Sequence, residues 1–244
     1  MQAAITVDNA PRARSRNHPT PALPREDIYG PVHKGLRWIL THVMVRMSRT
    51  SFADEASVSR TLSELRQALD LCASHLAHEN AHVHAALDRR RPGASARLGG
   101  DHEHHEQAIG ELRAYADELE QAAPTDRAAF GRRLYLRYSA FVGENLVHMV
   151  EEEELAQAVL EEIYTSEELQ ALQHEIVSSI PLEKMLQFVK IMLAGADPVA
   201  RNAMVAGVGK VLPVDQMAAI VAGLRSEIGE LEWQAVATTF LRSV

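Results

Sequence analysis

Two pairs in this chain put an imidazole and a carboxylate four residues apart: His75 with Glu79, and His148 with Glu152. On an α-helix of about 3.6 residues per turn, such residues share one ridge, so each pair offers a nitrogen and an oxygen ligand to the same point. Two such ridges facing one another allow the carboxylates to bridge two cations. Histidine is also crowded here, with 12 in the chain and eight of them between His75 and His148. The one cysteine, Cys72, rules out a thiolate cluster. Imidazole and carboxylate without thiolate suit iron, manganese or zinc and do not select among them.

The helices that must carry these groups are legible from apolar periodicity, each residue turning the side chain by roughly 100°. Helix A, about 27–49, lines up Leu36, Leu40, Met44 and Met47, with His33 in phase and His42 opposite. Helix B carries Val58, Leu62, Leu65, Leu69, Cys72, Leu76, Val83 and Leu87 and stops at Arg91-Pro92-Gly93. On it His75 and Glu79 lie closest to the core, His82 and His78 fall further round, and His84 points away. Helix C runs from near Asp101 to the break at 122–126. His105 sits mid-stripe with Ile109, Leu112, Ala116 and Leu119, His102 is roughly 60° away, and His104 about 100° off on the other side. Helix D starts at Asp126 and puts Phe130, Leu134, Phe141, His148, Glu152, Leu155 and Val159 on one face. Of its acidic run, Glu153 and Glu154 point to solvent and Glu151 is marginal. Four helices thus each send histidine inward. Buried imidazoles and carboxylates are costly without partners, so a shared metal site is the economical explanation.

The expected fold is all-α: an up-down four-helix bundle over 26–164, a disordered tail over 1–25, and a helical C-terminal extension over 165–244. The extension is expected to hold three or four shorter helices, punctuated by Pro181, Pro198 and Pro213, and to cover the open end of the bundle or make a homodimer. Nothing alternates with the period of two that strands require. A net charge of -8, from 33 acidic and 25 basic residues, argues against nucleic acid as a partner. No stretch approaches a membrane span, and the cysteine usage fits a reducing, cytoplasmic setting.

These residues resemble the hemerythrin HHE cation-binding family over about 27–163. The matching pieces are His33-Lys34-Gly35-Leu36-Arg37, His75 to Glu79, Asp101-His102-Glu103-His104-His105, and His148 to Glu152. The resemblance implies two non-haem irons, held by five histidines and two bridging carboxylates, with an open position for oxygen, nitric oxide or peroxide. Carried over, His33, His75 and His148 are terminal ligands and Glu79 and Glu152 are bridges. Helix C supplies His105 together with His102. The oxygen carriers of the family have helix C histidines four apart and an aspartate five beyond the helix D histidine. Here the spacing is three, and a glutamate stands at four. The implied function is to bind or sense oxygen, nitric oxide or peroxide, or to handle iron.

Three alternatives use the same residues. A di-iron enzyme for peroxide breakdown or oxygenation would place Tyr29 or Trp38 near the metal. A substrate-sized cavity would favour that reading, and a tight apolar channel would favour gas binding. A ferritin-like iron oxidase needs Glu-x-x-His on two helices, and only Glu79 to His82 fits. A zinc peptidase would read His78-Glu79-Asn80-Ala81-His82 as His-Glu-x-x-His, which leaves His33, His105 and His148 unexplained.

Overall fold

Aspartate side chains open the first two long helices. In the computed structural model, which describes residues 23–208 and 212–243, the Asp27 side chain accepts from Gly30 N–H at 2.7 Å just before α1 (Gly30–Arg49). Asp54 accepts from Ser57 N–H and starts α2 (Glu55–His78). That helix passes without interruption through a π-helical turn, Glu79–His84, into α3 (Ala85–Arg90). It ends at Arg91-Pro92-Gly93, where Gly93 takes a left-handed φ of 83°. Next comes α4 (Ala96–Gln121), then α5 (Arg127–Glu151), which likewise runs through a π-helical turn, Glu152–Ala156, into α6 (Gln157–Ile163). A Thr165–Glu168 capping box opens α7 (Ser166–Ser179). The remainder is α8 (Leu182–Gly195), α9 (Pro198–Val208), α10 (Val214–Gly223), α11 (Arg225–Ile228) and α12 (Glu230–Ser243). The fold is all-α among the described residues. Most of the expected tail, residues 1–22, lies outside them.

Polar contacts along the helix seams give the direction of packing. Between α1 and α2, Thr50 meets Thr61, Arg46 meets Glu64 and His33 meets His75, so numbering falls on one side as it rises on the other. The same holds for Arg66 with Asp117, Arg113 with Asp70 and His102 with Asn80 between the helix through α2 and α4. It holds again for Arg133 with Glu118, Arg137 with Glu111 and Arg97 with Glu151 between α4 and α5. These long helices are antiparallel to their neighbours. Leu40, Leu65, Leu69, Leu112, Leu134 and Phe141 fill the space they enclose, and Tyr138 Oη ties α5 to α1 by donating to Leu40 O at 3.1 Å.

Cys72 is buried in this core, and burial pushes its thiol up to about 12. The native protein is expected to be inert to an aromatic disulfide reagent at pH 8 and to titrate one thiol per chain in denaturant. Reaction of the native protein at the denatured rate would show that this core opens readily.

The extension has more elements than the three or four expected, α7 to α12. A second apolar cluster of Leu193, Val205, Met217, Val221, Leu224 and Phe240 joins α8 to α12. Buried Arg201 closes the C-terminal end of α8, donating to Leu193 O and Ala196 O at 2.6 Å each. The helix α8 lies on α1 at backbone distance. A Cβ on Gly195 would fall 2.3 Å from Lys34 O, and one on Gly35 would fall 2.9 Å from Met192 N. We expect Gly195→Ala to destabilise the protein by about 1–3 kcal/mol in urea unfolding, because the obstacle is backbone. Gly110→Ala, mid-α4 with nothing within 4 Å, is the control and should stabilise by about 0.5–1 kcal/mol. Among the described residues, no helix is long and apolar enough to cross a membrane.

Candidate metal centre

Six of the seven expected site residues meet in the interior. They form two groups whose donor atoms all lie within 4.8 Å of one another: His33, His75, Glu79 and Glu152, and Glu79, His102, His148 and Glu152. All six are buried. The seventh, His105, is buried beside them but belongs to neither group. Its ring stands edge-on to His148, with centroids 4.9 Å apart, and to Phe141.

The carboxylates are shared in a specific way. Glu79 turns Oε1 to His75 (3.1 Å) and His33 (3.6 Å), and Oε2 to His102 (3.6 Å). Glu152 turns Oε2 to His33 (3.4 Å), and Oε1 to His148 (3.2 Å) and His102 (3.4 Å). Within each group the two histidines aim their Nε2 atoms at one another, 3.2 Å apart for His33 and His75 and 3.0 Å for His102 and His148.

Outer contacts decide which ring nitrogens are free to ligate. His33 Nδ1 lies 2.9 Å from a Glu153 oxygen, which also accepts from Arg37 at 2.6 Å. His102 Nδ1 lies 2.7 Å from Asn80 Oδ1. Both outer partners are acceptors, so the ring proton sits on Nδ1 and the inward Nε2 presents a lone pair, the arrangement seen around metal-bound histidines. The centre is therefore rich in acceptors and poor in donors. All four oxygens of Glu79 and Glu152 are buried and lack a hydrogen-bond partner. Buried acceptors facing one another call for a cation, and this donor set fits two.

Protons compete for the same place. Burial lowers the His33 pKa, but the hydrogen bond to Glu153 and the nearby carboxylates of Glu79 and Glu152 outweigh it and raise it to about 9. Burial likewise opposes protonation of His148, and Glu152 reverses the balance. Burial opposes ionisation of Glu79, yet His75 and His33 hold its carboxyl well below the usual range. Burial, followed by the charges of His148 and His102, lowers His105 to about 4 and keeps its ring neutral.

Several positions depart from the periodicity, and the π-helical turns explain most of them. A π-helical turn begins at each site carboxylate, Glu79–His84 and Glu152–Ala156, so each helix is underwound from there onward. Such turns recur at functional sites. Side-chain direction then lags the α-helical count. Leu155, expected on the inner face, is 58% exposed, while Ala156 and Leu160 are buried instead. His84, expected to point away, is buried with its ring stacked on His102 at 4.5 Å between centroids. Glu153, expected to point to solvent, is half-buried and orients His33. On α4 the order of the two candidates is inverted: His102, off the stripe centre, reaches both carboxylates, whereas mid-stripe His105 meets Phe141. The stripe centre marks the apolar core, and the polar centre lies along its margin.

Tyr29 packs on His33, with ring centroids 5.3 Å apart, whereas Trp38 stacks on His42 on the far side of α1. In the His-Glu-x-x-His segment, His78 Nδ1 contacts Ser74 O and His82 contacts Glu175, and neither ring joins either group. That leaves the peptidase reading and the Glu79 to His82 ferritin reading without a site. Comparison with protein-family models gives no match, and comparison with curated proteins gives none either.

Proposed function

We propose that this chain is a dinuclear non-haem metal protein of the hemerythrin type, its helices through 26–164 forming an up-down four-helix bundle around two irons. The observation that carries this reading is that Glu79 and Glu152 each turn one oxygen to either group, as two bridging carboxylates would. In it, His33 and His75 serve one cation and His102 and His148 the other. His105, held neutral by burial, is the remaining ring available to the second cation.

Two irons so held would supply an open coordination position and electrons for a small oxidant such as oxygen, nitric oxide or peroxide. The protein's part is to orient and to exclude. Glu153 and Asn80 fix the rings of His33 and His102. Between His75 and His148 lies a void of about 10 Å³, walled by Leu36, Leu40, Leu76 and Met149 with Asn145 at its edge. That is near the lower limit for one water-sized molecule, so this side favours a diatomic and keeps bulk water away.

The iron-loaded protein should show near-ultraviolet and visible absorption that bleaches on reduction and returns with air or peroxide. A spectrum indifferent to all three would overturn the oxidant-binding reading while leaving the metal count to be judged separately.

A further inference from the structure

Against His75 and Glu79, the C-terminal helices border a much larger pocket that is partly open to solvent. It has a volume of about 250 Å³ and lies between the start of α1, the turn after α2, and helices α7, α8 and α9. Apolar walls held apart in this way forgo packing contacts that a ligand would supply. Scaled from the roughly 150 Å³ apolar cavity that accepts benzene, it has room for about ten heavy atoms.

Its walls define what it would accept. Neither lysine nor arginine lines it, so an anion would meet Glu79 with no cation to balance it. Met185, Met192, Met204 and Phe188 make the wall apolar and adaptable. Besides Glu79, whose oxygens belong to the candidate metal centre, one lining residue carries a buried polar atom without a partner: Tyr29, 1% exposed, through its hydroxyl. A buried hydroxyl is rarely left so, and a ligand's polar end would complete it.

We propose that this cavity is a binding site for an uncharged, largely apolar small molecule of about ten heavy atoms that carries one hydrogen-bonding group for Tyr29. The molecule lies against His75 and Glu79, so occupancy places an organic compound directly beside the candidate metal centre. Only that last consequence rests on the metal reading. The site itself is a property of the chain with or without cations.

The test is fluorescence and calorimetric titration of the full chain, as purified and after chelation, with 2-naphthol, naphthalene and naphthalene-2-sulfonate. We expect 2-naphthol to bind one per chain in both states, several-fold tighter than naphthalene and at least tenfold tighter than the sulfonate. Tyr29→Phe should erase the advantage over naphthalene. Val177→Trp, at the exposed rim on α7, and Val189→Phe, inside on α8, should each weaken 2-naphthol at least tenfold, with helicity and melting temperature checked alongside. Equal binding of the sulfonate, no binding of 2-naphthol, or unchanged binding in both filling variants overturns the proposal. So does self-association of the chain that 2-naphthol competes away, which would make a second copy the occupant. Loss of metal content with naphthol binding intact would instead count against the dinuclear reading alone.

Discussion

Replacing Glu79 and Glu152 together with glutamine is expected to take cation uptake from two per chain to none that survives gel filtration. These two residues are the only members common to both groups, and together they supply every buried oxygen in the centre that lacks a partner. Glutamine keeps their shape and removes both charges, so four histidines remain with nothing to offset the repulsion between two cations. The fold should survive, because the substitution also ends the burial of two like charges near one another, and far-UV circular dichroism of the metal-free variant should stay helical. Loss of one second-sphere partner alone typically costs about 10–100-fold in affinity, and loss of both bridges should cost more. Glu154→Gln, next in sequence to His33's partner Glu153 but exposed, should leave the stoichiometry at two. Elemental analysis after desalting reads all three proteins.

Cation loading should raise the melting temperature strongly. In the metal-free chain the two buried carboxylates are offset only by neighbouring histidines, whose protonation burial opposes. Anything that binds only the folded state stabilises it in proportion to the logarithm of its concentration, about 4 kcal/mol at a thousandfold excess over Kd. For a chain of this size, where about 1 kcal/mol moves the midpoint by roughly 2–4 °C, that is a rise of about 8–16 °C. Scanning fluorimetry of metal-free protein with ferrous, manganous or zinc ion measures it directly. The glutamine double variant should show no more than a small residual shift, and an equal rise in both proteins would locate the bound ion elsewhere.

The centre was legible where α-helical periodicity holds. His33, His75 with Glu79, and His148 with Glu152 all lie on stretches that are still α-helical up to the carboxylate, and all turn inward as counted. What was not legible lies beyond those carboxylates. The π-helical turns at Glu79–His84 and Glu152–Ala156 leave no composition signal, yet they bury His84, expose Leu155 and bring Glu153 onto His33. His102 was visible as a candidate but ranked behind His105, because an apolar stripe locates a core and not the polar centre at its margin. Asn80 gave no signal at all, since its role is to accept from a ring on another helix. In the extension, prolines mark where helices begin but not what they pack on. The docking of α8 on α1 depends on Gly35 and Gly195, 160 residues apart in the chain, meeting one another, which no local pattern encodes.

The most direct measurement is the metal content of the full chain after anaerobic loading with ferrous ion and removal of excess. The proposed reading, in which Glu79 and Glu152 each face both groups, predicts two irons per chain, with one lost when His75 or His148 is replaced by alanine. One iron or none in the unmodified chain, or two that persist in the Glu79 and Glu152 double variant, would contradict a dinuclear centre at this site.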